Sequence, residues 1–182
     1  MVAAAWWFRA QVTRLLREVG RDPRWIIWLA VAPDTALASR VWPAHVPRWQ
    51  QGYGNLGDRM KRIFRDFPSG NIVIIGADVP GVSAKLIASA FLALGPNDAV
   101  LGPSGDGGYW LIGLRRGSRP LPIRLFNGVR WSTEHALADT ERTFGTLQIA
   151  RIATLDDVDT ASDLARLSKG AGRYMPCSGG IA

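Results

Sequence analysis

Apolar residues recur along this chain with two different periods, and their alternation lays out the fold. Phe8, Val12, Leu15, Leu16 and Val19 fall at helical spacing within residues 3–19, and Gly20 ends the run, which predicts an amphipathic helix. Trp25 to Val31 is a continuous apolar stretch stopping at Pro33-Asp34, the pattern of a buried strand. Pro43 and Pro47 confine residues 41–51 to a loop or an edge strand. Helical spacing returns at Leu56, Met60, Ile63, Phe64 and Phe67. The β-branched run Ile72-Val73-Ile74-Ile75 predicts a strand over 71–76 buried on both faces, as in a parallel sheet. Leu86, Ile87, Ala90, Phe91 and Leu94 mark a third helix, closed by Gly95-Pro96. Short strands at 98–101 and 109–114 flank a glycine-rich turn; a helix at 133–144, a strand at 147–152 and a helix at 160–168 follow. Strands alternating with helices predict a three-layer α/β/α domain around a mostly parallel mixed sheet.

Length and composition narrow the picture. The 182 residues suffice for one domain, placed at 1–168, with a small glycine-rich tail at 169–182. No apolar run approaches the ~20 residues of a membrane span. The opening Met1 to Phe8 lacks a basic flank and runs into Arg9, so neither a membrane segment nor a signal peptide is expected. Cys177 is the single cysteine and fits a reducing cytoplasm. The net charge of +7 comes largely from arginines scattered through helices and loops, without a block of like charges, so nucleic acid is not an expected partner. A nucleic-acid module would instead show affinity that falls steeply with salt. The eight tryptophans are taken as packing material. Nothing in the pattern sets the oligomeric state.

Three segments can carry chemistry. The strand at 71–76 runs into Gly76-Ala77-Asp78-Val79-Pro80-Gly81, which puts a carboxylate at a strand end, the edge where open α/β sheets bind ligands. Asp78 is either a turn-former accepting backbone hydrogen bonds or a hard oxygen ligand for Mg²⁺ or Mn²⁺. The second segment is Asp156-Asp157-Val158-Asp159-Thr160, in which Asp157 and Asp159 repel each other ahead of a helix. A helix N-terminus offsets only ~0.3–1 kcal/mol per charge, so a cation is the more effective partner. Thr160 with Asp163 three residues on matches a capping box, which assigns Asp163 to a cap. In the third, Gly102-Pro103-Ser104-Gly105-Asp106-Gly107-Gly108-Tyr109, the glycines let a ligand approach the backbone and Asp106 can hold hydroxyls or an amine; the alternative is a tight hairpin turn.

Gly52-Tyr53-Gly54-Asn55-Leu56-Gly57 spells G-x-G-x-x-G, but that fingerprint requires a preceding strand. Here a proline-broken loop is expected before it, so a Rossmann site is rejected, although Arg59 and the loop amides can still meet phosphate. His45 and His135 lack metal-ligand spacing, and Ser132 or Thr133 is the expected N-cap of the helix that follows. No Ser/His/Asp or Cys/His arrangement is present.

Four ordered motifs, Gln51 to Met60, Ile75 to Gly81, Gly102 to Tyr109 and Asp157 to Thr160, with Trp131-Ser132-Thr133 after Leu125-Phe126, carry a resemblance over about residues 5–168. The chain resembles a bacterial glycosyltransferase-A-like family labelled selenodomain-associated transferase, similar to nucleotide-diphospho-sugar transferases. The resemblance implies a nucleotide over the strand ends and a divalent cation, Mg²⁺ or Mn²⁺, on Asp78, Asp157 and Asp159. It gives Asp106 the catalytic position, and a substrate-binding role to Gly52, Gly54, Arg59, Gly107, Gly108, Tyr109, Trp131 and Ser132. The implied partners are a nucleotide sugar or nucleoside triphosphate and a small-molecule acceptor.

Two departures stand out. Asn55 replaces the family's usual Asp. The family also opens with a strand and a Gly/Lys/Arg-rich loop ending Lys-Thr-Arg-Leu, whereas this chain starts at the helix after it, and its Val12-Thr13-Arg14-Leu15 lies inside that helix. The implied function is transfer from a nucleotide-activated substrate, glycosyl or nucleotidyl. The alternative is a non-catalytic remnant or binding protein of the same fold, while a start codon upstream of Met1 explains the missing front equally well.

Overall fold

In the computed structural model, which describes residues 2–68, 70–117 and 120–155, the two hydrophobic periods resolve into helices and strands close to where the pattern placed them. The elements are α1 (Val2–Val19), β1 (Leu29–Val31), a short 3₁₀ turn (Asp34–Ala38), β2 (Arg48–Gln50), α2 (Leu56–Asp66), β3 (Ile72–Ile75), α3 (Ala84–Ala93), β4 (Ala99–Pro103), β5 (Tyr109–Leu114), α4 (Ala136–Thr143) and β6 (Ile149–Arg151).

The strands form two sheets. β1 pairs with β2 in parallel, and a four-stranded sheet has the order β3-β5-β4-β6. β5 runs antiparallel to both β3 and β4, while β4 and β6 are parallel, so β3, β4 and β6 share one direction. The sheet is therefore mixed, with β5 as its reversed member. The glycine-rich segment between β4 and β5 is the connection of an antiparallel hairpin.

Alternation along the strands produces three layers. Ala99, Leu101, Ile112 and Leu114 point to a core shared with Met60, Ile63 and Phe64 of α2 and with Phe126 and Phe144. Val100 and Leu111, joined by Trp110 where the β4–β5 register shifts, point the other way, to Leu15 and Val19 of α1 and Ile87, Ala90 and Leu94 of α3. At the end of the sheet away from the hairpin, buried Asp98 accepts from Arg115 Nη2 at 3.0 Å and from the Gln148 amide at 3.0 Å, tying β4, β5 and β6 together.

Three expectations need correction. The strand over Trp25–Val31 shrinks to Leu29–Val31, because the aromatic residues turn away from a ladder. Trp25 donates its indole N–H to the Val19 carbonyl at 2.8 Å and stacks on Phe91, and Trp28 meets Phe67 edge-on at 5.3 Å. β3 is not buried throughout: Ile72 is, but Val73, Ile74 and Ile75 are half-buried. The helix expected at 133–144 starts at Ala136, and its N-cap position is His135, without a side-chain cap. Ser132 takes a left-handed φ of 59°, and Thr133 Oγ1 instead accepts from the His135 amide at 3.3 Å, so a turn precedes the helix. The helix expected at 160–168 and the tail at 169–182 lie outside the described residues.

Candidate active site

The C-terminal ends of β3, β4 and β6 and the start of β5 meet at one edge, which brings two of the three candidate segments together. The Gly76 amide donates to the Trp110 carbonyl at 2.9 Å, joining the approach to Asp78 with the start of β5. Beyond β6, the Ile152 amide donates to Leu101 O at 2.9 Å, the Leu155 amide to Pro103 O at 3.1 Å, and Trp110 Nε1 to Ala153 O at 3.0 Å. A Cβ added at Gly81 would stand 3.8 Å from Leu155 Cδ2, so the segment leaving β6 runs beside the Asp78 turn. Asp157 and Asp159 lie outside the described residues.

Asp78 differs from the other acids at this edge. It is half-buried, and among the described residues its carboxylate has no hydrogen bond and no ion pair. A turn-forming Asp accepts backbone N–H groups, and this one does not. By contrast, Asp106 is a turn residue in the full sense: its Oδ1 accepts from Ser104 Oγ at 2.6 Å and from the Gly108 amide at 2.8 Å. Its side chain is exposed, so it faces the space over the strand ends while fixing the hairpin.

The glycines of the hairpin have separate causes. Gly107 has φ +86°, and a Cβ there would fall 2.2 Å from the Glu134 carbonyl oxygen, so the hairpin is seated against the turn before α4. The Gly107 carbonyl in turn accepts the Leu137 amide at 2.9 Å, satisfying a first-turn N–H of α4. Gly102 makes room for Trp110, whose indole would lie 2.6 Å from a Cβ at that position. Tyr109 sits under this seat, its hydroxyl accepting from Thr140 Oγ1 at 3.3 Å, and burial pushes its phenol above the usual range.

The Gly52–Gly57 loop overturns the stated ground for rejecting a dinucleotide fingerprint, because a strand, β2, does precede it and α2 follows. The loop is nonetheless braced by side chains of its own and of its neighbours. Gly52 N donates to Asp34 Oδ1 at 3.0 Å, Arg59 Nε to Gly54 O at 3.0 Å, and Arg62 to the carbonyls of Gln51 and Tyr53. Asn55 and Asp58 form a reciprocal capping box, each side chain accepting the other's amide at 3.0 Å. Asn55, in place of the family's usual Asp, still caps α2 through its side chain. The Asp58 carboxylate also occupies the helix N-terminus that a phosphate would use.

Trp131 packs on Phe126 with ring centroids 5.9 Å apart and closes over Gly57, where a Cβ would lie 2.7 Å from the indole. Trp131 is half-buried and Ser132 exposed. Sequence reasoning passed over Asp34 and Arg62, two of the side chains that shape the 51–57 loop. The available signal was the i, i+3 spacing of Arg59 and Arg62 on the helix leaving that loop.

With this geometry the chain can be placed. Residues 15–133 match a family described as "Uncharacterized protein conserved in bacteria" (DUF2064). The chain belongs to the DUF2064 family. A crystal structure provisionally described as a nucleotide-diphospho-sugar transferase, from Desulfovibrio desulfuricans G20, is similar to this DUF2064 chain with a TM-score of 0.72 and 27% identity. The similarity covers 93% of this chain and 77% of that one. A homologue of Mycobacterium tuberculosis Rv0371c from Mycobacterium sp. strain JC1 matches with a TM-score of 0.53 and 18% identity, over 88% and 80% of the two chains. At that identity the second match shows the fold alone. No curated protein matches the chain. The fold is the α/β fold of the nucleotide-diphospho-sugar transferase superfamily, and no helix among the described residues is long and apolar enough to cross a membrane.

Proposed function

We propose that this protein is a divalent-metal-dependent transferase acting on a nucleotide-activated substrate, with its centre at the Asp78 turn. The observation that carries this reading is the half-buried carboxylate at a strand end, without a protein partner among the described residues. A half-buried carboxylate without a protein donor is open to a cation, and Mg²⁺ or Mn²⁺ is commonly held by one or two carboxylates plus substrate phosphates. A lone oxygen ligand at a strand end fits that donor set; no cluster of three acidic, histidine or cysteine side chains occurs among the described residues. The proposal adds Asp157 and Asp159, which follow Leu155 directly in sequence. When bound, the ion would neutralise charge developing on the diphosphate or triphosphate.

The chain's own residues have distinct parts in this reading. Asp78 orients the phosphate side, and the Gly107-Gly108 backbone with exposed Asp106 meets the transferred group or its acceptor. Tyr109 and the α4 turn hold that hairpin in place. Trp131 and Ser132 flank the 51–57 loop, where Arg59 retains guanidinium donors beyond the one bound to Gly54. A nucleotide sugar or nucleoside triphosphate is the donor class; the similarity to a provisional nucleotide-diphospho-sugar transferase supports the former.

The reading is tested by incubating the protein with UDP-sugars and nucleoside triphosphates in Mn²⁺, following release of nucleoside diphosphate and of pyrophosphate separately. With a small-molecule acceptor present, diphosphate released from a UDP-sugar together with a glycosylated acceptor assigns glycosyl transfer, and pyrophosphate released from a triphosphate assigns nucleotidyl transfer. Release of neither, together with no binding of any of these compounds to the intact chain, would leave the non-catalytic alternative in its place.

A further inference from the structure

Strict alternation on β5 fails at one residue. Leu114 and Ile112 point to the α2 side of the sheet and Leu111 to the α1 and α3 side, so Trp110 is due on the α2 side and Tyr109 opposite it. The structure has the reverse: Trp110 joins Leu111, and Tyr109 packs with the α2 core. The cause is a β-bulge. Leu111 pairs with Gly102 and Tyr109 with Pro103, consecutive residues of β4, so Trp110 has no partner on that strand. Toward β3 there is no such break, since Ile75 pairs with Leu111 and the Gly76 amide donates to the Trp110 carbonyl at 2.9 Å.

The extra residue sends the Trp110 side chain across β4. Its indole lies over Gly102, where a Cβ would fall 2.6 Å from Cε2 and Nε1. From there Nε1 donates to the Ala153 carbonyl at 3.0 Å, just past β6, the second strand over from β5. The residue is 2% exposed, and a buried indole N–H left without an acceptor is costly. The segment it reaches also bonds β4 through its backbone, from Ile152 N to Leu101 O and from Leu155 N to Pro103 O. Trp110 thus holds two pieces of chain at once. Its carbonyl holds the strand end that leads to Asp78, and its side chain holds the segment ending at Leu155, after which Asp157 and Asp159 follow in sequence.

We propose that Trp110 is a positioning residue for this edge: its bulge fixes the Asp78 turn and residues 152–155 relative to one another, and so sets the metal affinity of the carboxylates that follow them in the chain. This inference rests on the metal-dependent reading of the site. Trp110 acts through the two segments and not on substrate. Filling the core under α1 and α3 requires none of this apparatus, because an aliphatic side chain in regular alternation does so. The bulge, the bare Gly102 position and the indole donor are what an approach to Ala153 from β5 requires. Bulges recur next to active sites, where they re-aim a side chain.

The test compares Trp110→Phe, which keeps a buried ring and loses the N–H, with Leu15→Ala, which opens the same core without touching the tether. Amide hydrogen exchange is read without metal or nucleotide at Leu155, with Ile112 in the sheet interior as the reference. Trp110→Phe should speed exchange at Leu155 about tenfold relative to Ile112, the scale of one lost hydrogen bond, and Leu15→Ala should leave that ratio unchanged. Gly102→Ala keeps the indole but displaces it and should raise the same ratio, which covers the case in which Trp110→Phe does not fold. Mn²⁺ binding in the presence of a UDP-sugar, followed by electron paramagnetic resonance, should weaken at least about tenfold in Trp110→Phe and Gly102→Ala and stay native in Leu15→Ala. Equal exchange ratios in the native, Trp110→Phe and Gly102→Ala chains would overturn the proposal. So would a raised ratio with native Mn²⁺ affinity, which would make Trp110 a packing residue. Absence of Mn²⁺ binding in the unchanged protein would instead defeat the metal-dependent reading beneath it.

Discussion

Replacing Gly107 with alanine probes how the candidate site is held. A Cβ there would meet three backbone atoms of Glu134, at 2.2 Å from its oxygen and 2.6 Å from its carbonyl carbon and Cα. Backbone cannot swing aside as a flexible side chain can, so hairpin or turn must move, at about 1–3 kcal/mol. The left-handed φ of +86° adds about 1–2 kcal/mol for any residue with a Cβ. Together these give a loss of roughly 2–5 kcal/mol. Gly128 is the control, with φ +73° and nothing within 4 Å of an added Cβ. Gly128→Ala therefore carries the conformational part alone, about 1–2 kcal/mol. Urea unfolding followed by tryptophan fluorescence should separate the two by about 1–3 kcal/mol, or roughly 2–12 °C in Tm. Equal losses would show that the seat on Glu134 contributes nothing, and would refute the claim that α4 positions the 104–108 turn.

Two further substitutions test neighbouring parts. The Arg130 guanidinium holds the Asp139 carboxyl well below the usual carboxylate range, so its stabilisation is full above about pH 4 and is lost as pH falls below that. Asp139→Asn should therefore flatten the fall of urea midpoint between about pH 4 and pH 2; an unchanged acid slope would contradict the assignment. Gly57→Ala would bring a Cβ within 2.7 Å of both Phe126 and Trp131. It should cost about 1–3 kcal/mol and shift tryptophan emission, and a variant with native stability and spectrum would count against Trp131 closing over α2.

α1, α2, α3 and the strand at 109–114 are legible because each rests on a local period, with stop signals such as Gly20 after α1 or Gly95-Pro96 after α3. Strand pairing was less so. Ile72 to Ile75 spells a strand buried on both faces, but burial of Val73 to Ile75 depends on a neighbour at the second edge, which the run itself does not encode. Apolar content alone spells a strand over Trp25 to Trp28, whereas the indole N–H of Trp25 has a helix carbonyl within reach. The glycines at 102–108 were ambiguous between ligand access and a hairpin, and the structure assigns Gly102 to Trp110 and Gly107 to Glu134. For the site, the position of Asp78 just past the end of β3 is legible in the run before it, yet its lack of a partner among the described residues is a fact of three dimensions. The bracing of the 51–57 loop by Asp34, Asp58, Arg59 and Arg62 is hidden for the same reason, since Asp34 lies 18 residues from Gly52.

The central claim is that Asp78 supports a metal-bound nucleotide, and titration calorimetry tests it most directly. UDP-sugars and nucleoside triphosphates are titrated into the intact protein with and without Mn²⁺, then into Asp78→Ala and Asp78→Asn. The account predicts binding that requires Mn²⁺ and weakens at least about tenfold, 1.4 kcal/mol, in both variants, with their thermal stability unchanged in the absence of metal. Binding that is indifferent to Mn²⁺, or equally tight in Asp78→Ala, would contradict it.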